Sequence, residues 1–301
     1  MLHGYGVLTV PAASPILEPV LTRRATLGLL GGAALACGAT ASTPMPLGYQ
    51  LYSSRKFGPR GATLAMLAEA GYAHVETSLP RDQRALRGLE RDLANSGLAM
   101  RSAQVELDLL ATRADWVIEA ARRLGIGAIY AAWLPAGRRP AYQDGWVAFG
   151  AELDALGGPL REAGIAFGWH NHDYEFARFP DGRRALDAIL SGGPSLGWQA
   201  DVGWITRAGA DPVAWVGAYA GRITAVHLKD VARTPDNSEG GWADVGAGIV
   251  PWSDLLPILI RAAPRSWIVE HDDPSDDARF ATASMVFLRS NLRARRAPDR
   301  S

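Results

Sequence analysis

The sequence predicts an α/β protein folded as a closed (β/α)8 TIM barrel. Three observations predict it. Eight short apolar runs alternate with eight stretches of helical spacing, no glycine-rich phosphate turn follows the first run, and the last four runs each end in a residue able to ligate a metal. Alternation of this kind implies parallel strands joined by right-handed crossovers. An open doubly wound sheet would carry a G-x-G-x-x-G turn after its first strand. Gly246-Ala247-Gly248 follows the seventh run instead and lacks the rest of that pattern. It reads as a turn that lets the backbone approach the barrel mouth.

The strands are expected at Leu47–Tyr52, His74–Thr77, Met100–Val105, Ala128–Trp133, Ile165–His170, Leu196–Asp201, Ile223–Leu228 and Trp267–Glu270. Most are short and bounded by Gly or Pro. Apolar spacing of i, i+3, i+4 predicts helices over Thr63–Ala70, Gln83–Asn95, Ala114–Leu124, Tyr142–Ala163, Gly182–Leu190, Asp211–Tyr219, Trp252–Ala262 and Asp277–Leu292. Several of them stop at a glycine just before the next strand, as at Gly71 and Gly164, which suits a C-terminal cap. No linker divides residues 42–301, which are expected to form one barrel domain with a frayed polar tail from Arg293 to Ser301.

Residues 1–41 have the features of an export signal: Arg23-Arg24, a short apolar stretch from Ala25 to Ala36, and an A-x-A site at Ala39-Thr40-Ala41. The stretch is too short to span a bilayer. The paired arginines resemble a twin-arginine signal, although Thr26 stands where a bulky apolar residue is common. Cys37, the single cysteine, lies inside this segment, so cleavage after Ala41 leaves a chain without thiols, suited to an oxidising periplasm. Were the segment inactive as a signal, the chain would stay in the cytoplasm. Lysine plus arginine equals aspartate plus glutamate at 31 each, so no net field favours nucleic acid or a membrane surface. A homodimer is compatible with the sequence.

In a barrel of this type, catalytic groups come from the C-terminal strand ends and the loops after them. Glu76, Gln104, Glu106, His170, His172, Asp201, His227, Lys229 and Glu270 all fall there. Such groups are costly to bury unpaired, and a divalent cation is the simplest common partner. A mixed carboxylate and imidazole set suits Mn²⁺, Mg²⁺, Co²⁺, Fe²⁺ or Zn²⁺ and lacks the thiolates of structural zinc. Asp201, His227 and Glu270 are expected ligands, joined by at least one of His170 and His172, which share a face two residues apart. The other histidine then holds substrate or a neighbouring carboxylate, and the competing reading makes both ordinary core histidines. Glu76 and Gln104 are expected to bind substrate. Trp133, Trp169 and Trp204 lie near strand ends where an indole face can stack on a sugar, whereas Trp116, Trp146 and Trp215 sit at helical core positions.

The segments WHNHDYEF at 169–176, ADVGW at 200–204, GRITAVHLKD at 221–230, VGAGIVPW at 245–252 and IVEHDD at 268–273 resemble the sugar phosphate isomerase/epimerase family of xylose isomerase-like TIM barrels. The resemblance runs from about Leu47 to Leu292. It implies a metal set at His170, Asp201, His227 and Glu270. His170 departs from the family's ketose epimerases, which have Glu there, so their two-glutamate proton shuttle is incomplete. Glu270 remains as one acid/base, and Glu175, His172 or Lys229 are candidates for the second. Lys229 has as its alternative a salt bridge to Asp230 or Glu270.

The leading expectation is therefore a metal-dependent isomerase or epimerase. It would act on a sugar or cyclitol by proton abstraction beside a carbonyl, through an enediolate that the metal stabilises. A lyase or dehydratase acting on a keto-sugar, an inosose or a 3-keto-glycoside is the nearest rival. A non-catalytic periplasmic sugar-binding protein is the rival from another class. A phosphorylated substrate is disfavoured by the want of an Arg/Lys cluster at the eighth strand's mouth. An endonuclease-like barrel is disfavoured by the neutral charge.

Overall fold

The computed structural model describes residues 45–234 and 238–294. The expected export segment, with Arg23, Arg24 and Cys37, lies outside the described residues, as do residues 295–301 of the tail. Arg293 and Ala294, expected to fray, instead complete the last helix.

Eight parallel staves form the barrel: β1 Leu47–Gln50, β2 His74–Glu76, β3, β4 Ala128–Ala131, β5 Ala166–His170, β6 Gly197–Asp201, β7 Ile223–Leu228 and β8 Ser266–Val269. β3 is split at Arg101 into Ala99–Met100, which pairs with β2, and Ser102–Val105, which pairs with β4. The break is sewn up by a parallel bridge from Ser78 to Gln104. Two backbone bonds flank that bridge, Gln104 N to Thr77 O at 3.1 Å and Leu79 N to Gln104 O at 2.8 Å. β8 pairs with β1 at Leu47–Trp267 through Tyr49–Val269, so the sheet returns to its start.

The crossover helices are α1 Arg60–Ala70, α2 Gln83–Ser96, α3 Ala114–Leu124, α4 Gln143–Leu156, α5 Ala185–Gly192, α6 Pro212–Ala218, α7 Trp252–Ala262 and α8 Asp277–Ala294. They bury apolar faces on the outward residues of the staves, as Leu86, Leu89 and Leu93 do from α2. Gly71 ends α1 at φ 88°, the left-handed cap that its position predicts. The expected single helix over residues 142–163 breaks at Gly157, and a separate short turn runs Gly158–Glu162. Pro159 has no N–H to give to Ala155, so the ladder cannot pass it. Two short helices that sequence spacing does not reveal, Leu107–Thr112 and Val202–Arg207, follow β3 and β6 at the mouth. Among the described residues no helix is long and apolar enough to cross a membrane.

Unusually for a barrel core, the inward residues are largely polar. Gln50, His74, Glu76, Ser102, Gln199, Asp201 and His227 are all buried within it. Room for them comes from small neighbours. A Cβ on Gly48 would lie 2.1 Å from the His74 ring, so that glycine is what admits the imidazole.

Candidate active site

β5, β6, β7 and β8 end side by side, and each delivers one group to the same spot. His170, Asp201, His227 and Glu270 each offer a ligand atom, all within 4.8 Å of one another and all buried. This is the set expected from the sequence.

The orientation of each imidazole is set from behind. His170 Nδ1 lies 3.0 Å from Gln199 Oε1, while Gln199 Nε2 donates to both Glu76 oxygens at 3.1 and 2.9 Å. The Gln199 amide is thereby oriented, Nδ1 of His170 carries the proton, and Nε2 keeps its lone pair for the site. His227 Nε2 lies 2.7 Å from Glu76 Oε1, leaving Nδ1 beside Glu270 Oε2 at 2.7 Å and Asp201 Oδ2 at 4.0 Å. Glu76 also accepts from Gln50 Nε2 at 3.0 Å and from the Ser102 hydroxyl. Glu76 was expected to meet substrate. It lies fully buried and saturated by four protein side chains, and it holds His227 and Gln199 instead.

Asp201 caps the Val202–Arg207 helix with Oδ1, which accepts the Trp204 N–H at 2.9 Å. Its Oδ2 is buried with no hydrogen-bond partner, facing the cluster. Burial lifts the Asp201 carboxyl to about 7, helped by Glu270 and opposed by Lys229. Burial would also lower His227, but Glu270 and Glu76 outweigh it and raise the ring to about 10. Burial, with the His227 and His172 rings, holds His170 well below its ordinary value. Burial works against the Glu270 carboxylate too, yet Lys229 and His227 prevail and hold it well below the usual range. A buried carboxylate oxygen that accepts no hydrogen bond, a neutral imidazole aimed inward, a second carboxylate and a second imidazole make a donor set that suits a divalent cation. The residues present fit such an ion.

Above the cluster opens a cavity of about 540 Å³, lined among others by Gln104, Trp133, His170, His172, Lys229 and Glu270. His172 stands on its wall, its ring centroid 5.0 Å from that of His170 and 5.3 Å from that of Trp204. Burial first, then Lys229, lowers His172 to about 3, so it is a neutral imidazole. Lys229 Nζ sits 2.6 Å from Asp272 Oδ1, 3.3 Å from Glu270 Oε2 and 3.5 Å from Asp201 Oδ2. It also lies 5.0 and 4.6 Å from the ring centres of Trp204 and Trp242. The Glu270 salt bridge expected for it is present, and the Asp230 one is not. Asp230 instead accepts backbone N–H groups of Gly246, Gly248 and Val250 and the Trp252 indole, which is what the Gly246–Gly248 turn is shaped to do.

Two further expectations are corrected by burial. Glu175 is fully enclosed, accepting from Trp169 Nε1 at 2.8 Å and His172 N at 2.9 Å. Burial raises it to about 7, but it braces the WHNHDYEF loop and does not line the cavity. Trp169 faces outward from β5 and packs edge-on against Phe149, with no face for a sugar. Gln104, Trp133 and Trp204 do line the cavity. Asn171, between the two histidines, ties β5 to β6 by accepting from Trp198 Nε1 and Asp201 N and donating to Asp201 O. Sequence reasoning missed Gln199 and Asp272. Gln199 stands two residues before Asp201 on the same face of β6, and that spacing is the signal that could have found it, whereas Asp272 lies in the bend after β8, where no alternation marks it.

A family model described as xylose isomerase-like TIM barrel matches residues 64–291. The chain belongs to the xylose isomerase-like TIM barrel family. A curated relative, the rhizopine catabolism protein MocC of Rhizobium meliloti, is 29% identical over 168 residues, covering 50% of this chain and 51% of that protein. The chain thus spans about half the length of the curated relative it matches. Among solved structures, a sugar phosphate isomerase/epimerase of Parabacteroides distasonis superposes with a TM-score of 0.68 at 19% identity, covering 86% of this chain and 96% of the other. The probable 3-DHS dehydratase AsbF of Bacillus anthracis superposes at 0.64 with 13% identity, covering 81% and 98%. At these identities the two structures speak for the shared fold alone.

Proposed function

We propose that this protein is a metal-dependent isomerase or epimerase that moves a proton beside the carbonyl of a sugar or cyclitol. The observation that carries the reading is the convergence of four potential ligand atoms within 4.8 Å, one of them a buried carboxylate oxygen that accepts no hydrogen bond, at the mouth of a xylose isomerase-like barrel. His170 Nε2, His227 Nδ1, Asp201 Oδ2 and a Glu270 oxygen would hold the ion, with Mn²⁺, Fe²⁺, Co²⁺ or Zn²⁺ suited to two imidazoles better than Mg²⁺. A bound divalent cation supplies Lewis acidity to adjacent substrate oxygens and so acidifies the neighbouring C–H.

The chain's own groups do the rest. Glu270, between His227 and Lys229 at the cavity floor, is the carboxylate placed to take the proton. Lys229, pinned by Asp272, presents an ammonium to a developing oxyanion. The indoles of Trp133 and Trp204 bound the space where a ring would lie. A lyase or dehydratase remains the second reading, favoured by one observation. Where a two-carboxylate shuttle would have its second acid, β5 presents the neutral His170, and a single base suffices for elimination. We also propose that residues 1–41 direct export, on the strength of Arg23-Arg24 and Ala39-Thr40-Ala41.

The test is metal-reconstituted protein incubated in D₂O with ketoses, inososes and 3-keto-glycosides, followed by NMR. Deuterium is expected at one carbon beside the carbonyl, with interconversion for an isomerase and loss of a group for a lyase. Glu270→Gln is expected to abolish the exchange. Exchange that persists in this variant removes Glu270 as the base, and none on any substrate class overturns the enzymatic reading.

A further inference from the structure

The cavity above the cluster does not end at its own wall. Gln104, Ala132 and Trp133 are shared with a second hollow of about 260 Å³ that continues toward the β3 and β4 loops, past Glu106, Asp108 and Arg138. Small-molecule sites run to roughly 300–1,000 Å³, so the larger hollow suffices for a ligand and the smaller one falls short alone. The two hollows adjoin at these three residues, of which Trp133 is the largest.

Trp133 is 53% exposed, one of few large apolar side chains left open. It is nevertheless braced. Its ring meets His172 edge-on at 5.1 Å and Tyr174 at 5.8 Å. Arg139 lies 5.0 Å from its centroid, stacks 3.5 Å over Tyr174 and bonds Leu134 O at 2.9 Å, which holds the loop. An indole held in place yet left open to water is a preorganised platform for a flat, partly apolar ligand face. The far wall of the second lobe offers hydroxyl, amide and charged groups of both signs. Asp108 pairs with Arg138 at 3.0 Å and Glu106 pairs with Arg81, so no net positive field awaits a phosphate.

We propose that the substrate is a neutral two-ring glycoside. Its reacting ring lies over His170, Asp201, His227 and Glu270, and its second ring lies across Trp133 into the lobe bounded by Glu106 and Asp108. This inference rests on the sugar reading given above and narrows it to a substrate class. A single ring over the cluster leaves the outer hollow at Glu106 and Asp108 to water.

The test is calorimetric titration of metal-loaded full-length protein with cellobiose, maltose and trehalose against glucose and glucose 6-phosphate. At least one disaccharide is expected to bind tenfold or more tightly than glucose, and glucose 6-phosphate no better than glucose. Glu106→Trp and Asp108→Trp, both at exposed positions, fill the outer lobe and are expected to erase the disaccharide advantage. Unchanged metal content and circular dichroism check that each variant is folded. Glucose binding as tightly as every disaccharide, or an advantage that survives both substitutions, overturns the inference while leaving the sugar reading intact. Binding of no disaccharide also overturns the inference, while the sugar reading is overturned only by the absence of D₂O exchange with every ketose, inosose and 3-keto-glycoside.

Discussion

Glu76 shows how much of a candidate metal site lies behind the groups that would hold the ion. Its oxygens gather Gln50, Ser102, Gln199 and His227, and through the last two they aim both imidazoles. Glu76→Gln keeps the size but presents an amide nitrogen to this ring of donors, so His227 and Gln199 lose their shared acceptor. Metal affinity is expected to fall by roughly 10–100-fold with the fold retained. Competition against a chelating dye measures it, and unchanged affinity would remove Glu76 from the site. His74 makes a different point, two residues earlier on the same face. Burial, reinforced by Arg101, lowers its pKa to about 4 from 6.5. The unfolded chain therefore takes up a proton that the folded one refuses between these values. Stability from this residue is complete above about pH 6.5 and declines as pH falls toward 4, by about 3 kcal/mol in all. Urea unfolding at pH 7 and pH 4.5 should show a shallower acid loss for His74→Gln than for the wild type. Equal slopes would show that the imidazole is already protonated or solvated in the fold.

At the scale of elements, the strand ends were legible because the barrel rewards a simple pattern: an apolar run, then a polar group at the mouth. The β7 stave and the helices α3 and α7 fall where periodicity places them. The convergence of His170, Asp201, His227 and Glu270 was legible for the same reason. What each polar residue touches was not, because it depends on register between distant staves. His227 and Glu76 are 151 positions apart, and no spacing in the chain announces that pair. Helices of six residues, such as Val202–Arg207, are likewise too short to show a period. Asp230 belongs to this illegible class. Beside Lys229 it reads as a salt-bridge partner, yet it anchors the whole segment that leads into α7, accepting from Val231, Gly246, Gly248, Val250 and the Trp252 indole. Asp230→Ala strands these donors in a largely buried place. A loss of roughly 2–4 kcal/mol is expected, since a charged acceptor counts for about twice a neutral one and unsatisfied donors add their desolvation cost. Equilibrium urea denaturation reads it. A loss under about 0.5 kcal/mol would mean that water replaces the carboxylate at no cost.

For the whole molecule, the mouth of the barrel concentrates opposed charge where solvent cannot screen it. Asp201, Glu270 and Asp272 face Lys229 and His227, and burial, against the pull of Lys229, raises the Asp201 carboxyl to about 7. A divalent cation bound here would neutralise carboxylates contributed by two separate staves and link them to imidazoles from two more. An ion that binds only the folded chain stabilises it by mass action, about 2.7 kcal/mol when free metal stands at 100 times Kd. For a domain of this size each kcal/mol moves the melting temperature by about 2–4 °C. Metal-loaded protein is therefore expected to melt roughly 5–10 °C above the chelator-treated form, and the gap should widen with metal concentration. Asp201→Asn is the control, because it keeps an oxygen to cap the Val202–Arg207 helix while removing the charge on the unpartnered oxygen. Its melting temperature should respond far less to metal. Scanning calorimetry with Mn²⁺ and Zn²⁺ decides the matter: a wild-type transition indifferent to both ions would mean that the four groups meet only to satisfy one another, with Lys229 and protonated His227 as the site's permanent cations.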